Sequence, residues 1–189
     1  NLRELTEMAR KNPGKLNYAH TGVGSTNHLP IEFLKFSRQL YIVPISYRGQ
    51  PQAITDVLAG QIQIFAGAPA LLVPHIKAGK LKALAWTGKK RNPKLPDVPT
   101  VGEIKGLNMA QFEYESWNGV VVAAGTPPEV VQKLSQELAQ VMAMPEVKER
   151  LISLGYEPRT EIREDFGAVI ANDFKRFGQV IREAGIKLD

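Results

Sequence analysis

The sequence predicts an α/β fold whose sheet is mostly parallel and flanked by helices on both faces. Two observations carry that expectation. From residue 1 to residue 87, helical and strand patterns alternate as α-β-α-β-α-β-α-β. Glycine and proline turns punctuate these short segments, and such an alternation implies a mostly parallel sheet with helices on both faces.

The first element spans residues 2–11, where Leu2, Leu5, Met8 and Ala9 recur at helical spacing before Asn12-Pro13-Gly14 stops the helix. Lys15 to Ala19 reads as a strand, and His20-Thr21-Gly22-Val23-Gly24 as the loop that follows it. A helix from about Thr26 to Gln39 comes next, with Pro30 near its first turn, where a missing N–H costs least. Tyr41 to Tyr47 is β-branched and aromatic, a strand that turns at Arg48-Gly49-Gln50-Pro51 into a helix through Ile54, Val57 and Leu58. Gln61-Ile62-Gln63-Ile64-Phe65 alternates polar and apolar residues and predicts a third strand. Pro69 to Ala78 predicts a helix, and Leu81 to Thr87 a fourth strand.

Beyond residue 88 the texture changes. Residues 88–111 are rich in Pro and Gly, with Thr100 and Glu103 spaced to cap a short helix. Phe112 to Ala124 is extended and ends in Gly119-Val120-Val121-Val122-Ala123-Ala124, a run that suits a strand buried on both faces. Three helices follow. One starts at Thr126-Pro127-Pro128-Glu129, read as a capping box, and runs to about Ala143; the second covers Pro145 to Leu154; the third is capped near Thr160 and ends at Ala184. Residues 1–111 thus read as a self-sufficient α/β unit. A lone valine strand cannot satisfy its own hydrogen bonds, so residues 116–189 need neighbours from elsewhere.

Composition removes several function classes. With no cysteine among 189 residues, thiol nucleophiles, disulfides and cysteine metal sites are excluded together. The net charge of +5 is not organised for nucleic acid: Lys89, Lys90, Arg91 and Lys94 sit among Gly88, Asn92, Pro93 and Pro96 without aromatic stacking partners. No apolar run reaches the ~20 residues of a membrane helix. The chain does not open with a signal peptide, so residue 1 reads as a processing point, an engineered boundary or a truncation.

The strongest candidate for binding is Thr21, Gly22, Val23, Gly24, Ser25 and Thr26, between a strand and a helix start. Glycines allow close backbone approach, and unpaired amides at a helix start favour an anion. The alternative, that Ser25 or Thr26 merely caps the helix, stays open. Asn27 at the third glycine position breaks the dinucleotide fingerprint, and no phosphate-loop Gly-Lys-Ser/Thr is present. Tyr47-Arg48-Gly49 lies at a second strand end, where Arg48 can clamp a carboxylate or simply face solvent, and Ala66 marks a third. His20 and His28 flank the glycine loop without a metal-ligand trio, and His75 lies far along a helix. A Ser25–His28–Asp56 triad lacks a nucleophile elbow. We therefore expect no catalytic residue, no metal and no cofactor. The rival readings are an enzyme that binds a phosphate-bearing ligand at the glycine loop, and a carboxylate-sensing module.

Taken in order, Asn12-Pro13-Gly14-Lys15-Leu16-Asn17-Tyr18-Ala19, Gly22-x-Gly24-Ser25-Thr26-x-His28-Leu29, Tyr47-Arg48-Gly49 and Asp56-x-Leu58-x-Gly60-Gln61 form a series. It continues through Pro74-His75-Ile76-Lys77-Ala78-Gly79-Lys80-Leu81, Leu95-Pro96-Asp97-Val98-Pro99-Thr100-Val101, Ser116-Trp117-x-Gly119 and Ala124-Gly125-Thr126-Pro127. The series resembles the Bug (Bordetella uptake gene) family, the substrate-binding components of tripartite tricarboxylate transporters. The resemblance implies a periplasmic-binding-protein type II-like "Venus flytrap" that closes on a small carboxylate in the periplasm and serves membrane permease subunits. It implies that residues 1–115 are one complete lobe, the second of the flytrap. Residues 116–189 then supply the crossover strand and C-terminal helices of the first lobe, whose N-terminal part is missing. Thr21, Gly22, Val23, Gly24, Ser25, Thr26 and His28 match the family's ligand loop, with Tyr47, Arg48 and Ala66 lining the cleft. Some relatives carry Asp near position 66, able to meet an amino group; Ala66 cannot, which disfavours an amino-acid ligand. Ser46 and Pro30 also depart from the usual residues, with little consequence. The unpaired edge of 116–189 leads us to expect a homodimer, a swapped assembly or a retained N-terminal fragment.

Overall fold

The computed structural model describes residues 1–110, 112–154, 156–158, 164–183 and 185–186. They fall into two compact units, Asn1–Ser116 with Val180–Asp189, and Trp117–Gln179.

In the first unit, α1 (Leu2–Lys11) is opened by Asn1, whose side-chain oxygen accepts the Glu4 N–H at 3.0 Å. Three strands follow in alternation with helices: β1 (Asn17–His20), α2 (Leu29–Arg38), β2 (Val43–Ser46), α3 (Gln50–Leu58), β3 (Ile64–Phe65) and α4 (Pro69–Lys77). The sheet is parallel throughout, in the order β2-β1-β3. Ala19 of β1 lies opposite Ile45 on one side and Phe65 on the other. All three strands therefore end at the same level.

Successive residues of a strand face opposite sides, and β1 shows both faces covered. Tyr18 enters a core with Leu2 and Ala9 of α1, Ile31 and Leu34 of α2, Ile42, Ile64 and Leu107. Ala19 enters a smaller one with Ala53 of α3 and Ile62, bordered by Ile45, Val57 and Phe65. Helices on both faces are thus realised. Gly67 follows β3 where a Cβ would stand 2.3 Å from the Phe65 ring, so a side chain there would displace that ring.

Two expected strands are not formed. In Leu81 to Thr87, the Trp86 N–H donates to Pro99 at 2.8 Å and its carbonyl accepts from Val101. Trp86 forms only an isolated bridge with Thr100, and the Thr87 carbonyl accepts from Tyr114. These backbone groups are satisfied by the following Pro-rich segment rather than by β3. Leu84 and Ala85 still pack on the main core. Thr100 donates its N–H to Glu103 at 2.7 Å at the start of a short 3-10 helix, Val101–Glu103, close to the expected cap.

The second expectation to fail is the buried valine strand. Residues 116–124 form no ladder, and Val120 and Val121 are 72% and 79% exposed. A strand without a neighbour has no backbone partners, and Val120 and Val121 stay uncovered among the described residues. The second unit otherwise contains the expected helices: α5 (Pro128–Ala143), α6 (Pro145–Ser153) and most of α7 (Glu164–Glu183). Thr126 does not cap α5. The chain enters through Pro127 instead, whose carbonyl accepts from Val130 and Val131, with Pro128 in the first turn. Thr160 and Ala184, the expected limits of the third helix, lie outside the described residues. Neither α5 nor α6 buries a single residue. α5 and α6 contact each other, and the Trp117 ring meets Phe166 edge-on at 5.0 Å while its indole N–H donates to Asp173 at 2.8 Å. A Cβ on Gly119 would sit 2.2 Å from the Phe166 ring, so this close approach needs glycine.

The apolar segment around β2 and the valine run at 120–122 should respond very differently to mutation. Ile42 is fully buried, and Ile42→Ala should lower unfolding stability by about 2–5 kcal/mol in urea denaturation. Val121→Ser should change it by less than about 0.5 kcal/mol. A comparable loss at Val121 would mean that its strand is packed after all.

Candidate functional site

Parallel pairing sets the site. The segments after β1, β2 and β3 leave the carboxyl edge of the sheet side by side, where ligands of open α/β folds gather. The Tyr47 N–H donates to the His20 carbonyl at 2.8 Å, so the sheet zips one step past the strands before the first two loops diverge. Thr21 to Thr26, Tyr47-Arg48 and Ala66 are thereby brought to one edge.

The glycine loop is built around Asn27. This residue is fully buried, and its side-chain oxygen accepts from the Thr21 N–H at 3.0 Å, the Thr21 hydroxyl at 3.2 Å and the Ser25 hydroxyl at 2.6 Å. One oxygen ties both ends of the turn together. Because a backbone N–H can only donate, the oxygen's position is fixed, and Asn27 Nδ2 is left buried without an acceptor among the described residues. Gly22 and Gly24 supply φ values of 133° and 79°, which other residues avoid.

Two imidazoles hold the loop from below. His20 and His28 are 6% and 5% exposed, stand edge to face at 4.9 Å, and both flank the Tyr18 ring. Nδ1 of His20 accepts the Gly22 N–H at 3.1 Å, and Nδ1 of His28 accepts the Gly24 N–H at 3.4 Å. Tyr18 donates to Glu32 at 2.5 Å, and Lys35 pairs with the same carboxylate. Burial first, then the Glu32 contact, pushes the Tyr18 hydroxyl far above its ordinary range.

Several donors that the sequence offers to a ligand are therefore spent inside the loop. The Thr21, Gly22 and Gly24 amides have acceptors, the Ser25 N–H donates to Gly22, and the Thr21 and Ser25 hydroxyls serve Asn27. The amides of Val23, Thr26 and Asn27 have no acceptor among the described residues, and Val23 and Thr26 are exposed. α2 begins at Leu29 rather than Thr26, with a turn across 26–28. Ser25 contributes its main-chain carbonyl to that turn, taking His28 and Leu29, so side-chain capping by Ser25 or Thr26 is not realised.

At the second loop, Tyr47 donates its hydroxyl to Asp56 at 2.7 Å, which raises the Tyr47 pKa. Arg48 is exposed and makes no hydrogen bond or ion pair among the described residues. At the third, Ala66 packs against the main core, and the Ala68 N–H donates to Gln50 at 3.4 Å. Asp56 faces Tyr47 and Ser25 faces Asn27, so these residues form no Ser25–His28–Asp56 relay. No cluster of three metal-ligating side chains occurs among the described residues, and no described helix is long and apolar enough to cross a membrane. A separate open concavity, lined by Glu4, Lys82, Leu84, Asp97 and Ile104 among others, includes none of the loop residues. The role of Asn27 was not legible beforehand: in sequence it only spoils a glycine fingerprint.

Asn27→Ala removes the acceptor of three donors and strands the Thr21 N–H. It should cost about 1–3 kcal/mol in urea unfolding. It should also make the Thr21 amide exchange faster with solvent by NMR. Unchanged exchange at Thr21 would show that the turn does not depend on this side chain.

Comparison with known proteins places the chain in a family. The family model described as "Tripartite tricarboxylate transporter family receptor" matches residues 1–186. A protein of the tcbD-tcbE intergenic region from a Pseudomonas species is 32% identical over 182 residues, covering 96% of this chain and 54% of the relative. The solved structure of Rpa4515 from R. palustris with adipate superposes with a TM-score of 0.87 at 28% identity, covering 100% of this chain and 62% of that one. The periplasmic binding protein BugD gives a TM-score of 0.84 at 31% identity, covering 100% and 63%. The chain spans about half the length of the curated relatives it matches. The fold, the order of motifs and the matched family model agree: this chain belongs to the tripartite tricarboxylate transporter receptors, the Bug family of periplasmic solute-binding proteins.

Proposed function

We propose that this chain carries the anion-receiving lobe of a periplasmic receptor that captures a small carboxylate and delivers it to membrane permease subunits. The observation that carries the reading is the pair of loop amides at Val23 and Thr26, both exposed residues and both without an acceptor among the described residues, with the unpaired, exposed Arg48 at the adjoining strand end. Unpaired N–H groups in the turn leading into α2 can donate to a carboxylate, and Arg48 adds a charge able to bind both its oxygens. Thr21 to Thr26 frame the site. His28 acts from beneath it, while Tyr47 and Ala66 border it. The adipate bound by Rpa4515 is a ligand of this chemical class. Nothing in the arrangement requires a cofactor or a reaction, and the chain acts as a binder rather than an enzyme.

Residues 1–115 serve as one lobe on this reading. Residues 116–189 belong to the other lobe and are completed by the part of the relatives' length that this chain does not span. The exposed Val120, Val121 and Val122, and the absence of any buried residue in α5 or α6, support that division. The same uncovered surface favours a retained fragment, a swapped assembly or a homodimer over a free monomer.

A carboxylate on a single open lobe stays wet, and its charge-assisted bonds, ~1.5–3 kcal/mol each when sheltered, are weakened by water. Succinate, malate, citrate and adipate should therefore bind this chain with a Kd of about 1 mM or weaker, equivalent to about 4 kcal/mol or less. The binding should appear as NMR shifts of the Val23, Thr26 and Asn27 amides, and Arg48→Gln should weaken it by about 2–10-fold. Shifts produced by nucleotides or sugar phosphates, with none from carboxylates, would sink the reading. Submicromolar binding in calorimetry would refute the need for a second lobe.

A further inference from the structure

Gly22 and Gly24 are held in their left-handed-side conformations by the unprotonated nitrogens of two buried histidines, an arrangement that the carboxylate reading does not require. A neutral imidazole presents one nitrogen as acceptor and the other as donor; the imidazolium presents two donors. Accepting the glycine N–H groups at Nδ1 therefore fixes the Nε2–H tautomer of both rings. We propose that His20 and His28 are positioning residues that latch the glycine loop in their neutral forms, and that protonation of either ring releases the loop. Placing a proton on Nδ1 sets it against the glycine N–H, so the bond is lost rather than merely weakened.

The surroundings make the latch acid-sensitive. His28 faces His20 and Tyr18, with Glu32 and Lys35 of α2 close enough to act on its charge; His20 faces Tyr18 and His28. Burial holds the His28 pKa below its ordinary value of 6.5; Glu32 opposes this, and His20 and Lys35 assist. The folded state thus binds its proton less readily than the unfolded chain. The stabilisation from neutral His28 is complete above the unfolded imidazole value, about 6.5. It is lost as pH falls through the lowered folded value. The two rings lie only 4.9 Å apart, so a charge on one disfavours a charge on the other. The proposal rests on the carboxylate reading only in taking this loop as the anion-receiving one, and its test needs no ligand.

The test is an NMR pH titration of the ¹⁵N-labelled chain, following the imidazole nitrogens and the Gly22 and Gly24 amides. At pH 7.5 both Nδ1 atoms should be unprotonated and both Nε2 atoms protonated. On acidification the two amides should shift with the imidazole midpoint, and their pH-corrected exchange protection should fall at least ~10-fold. His20→Asn and His28→Asn place a non-titrating oxygen near the Nδ1 position; each should keep its own glycine amide protected through the acid range. His20→Phe and His28→Phe keep a ring but no acceptor, and should leave that amide unprotected even at pH 7.5. Protonated Nδ1 at neutral pH, or glycine protection unchanged across the imidazole titration, would overturn the proposal. The wild-type tautomers decide the matter if a variant fails to fold. Absence of carboxylate binding would remove the functional reading while leaving the latch standing or falling on these signals.

Discussion

The parallel pairing of β1 with a strand on either side is the constraint from which the rest of the site follows. One strand of four residues, Asn17–His20, carries the register for both neighbours. Its Tyr18 and Ala19 are fully buried on opposite faces, one against α1 and α2 and the other against α3. A slip of one residue would exchange those faces and put the tyrosine where only alanine fits. Because register is fixed this firmly, all three strand ends stop together, and the loops that follow share one edge.

From that edge the loop after β1 is shaped by donors and acceptors rather than by packing. Asn27 closes the turn from inside, two histidines accept from its glycines, and the amides of Val23 and Thr26, both exposed residues, are left without an acceptor among the described residues. Satisfying most of the loop internally keeps the remaining N–H groups in place without a ligand. Preorganised donors of this kind reduce the cost of receiving an anion. The partly buried Tyr18–Glu32–Lys35 group ties the same platform to α2.

Much of the first unit was legible in the sequence, because helix and strand periods differ and Gly and Pro punctuate them. The alternation through Phe65, the glycine loop and the Tyr47-Arg48 turn could all be placed by pattern. Segment 81–87 could not, because its apolar residues do pack on the core while its hydrogen bonds go to residues 99–101 and 114; pattern reports burial, not partners. The valine run shows the opposite limit. Its composition is that of a buried strand, yet Val121 is 79% exposed here, since a pattern states what a segment can pair with and not whether the pair is at hand. Within the loop, donor-rich residue types were legible, but the choice of which donors Asn27 and the histidines consume depends on three-dimensional closure.

The central claim, that the leftover loop amides receive a carboxylate, is tested most directly by a crystal structure of this chain soaked with succinate or adipate at tens of millimolar. The account expects a carboxylate oxygen about 2.7–3.2 Å from the Val23 or Thr26 nitrogen, on the edge shared with Arg48. A carboxylate seated elsewhere, with those amides turned onto protein acceptors, would contradict it.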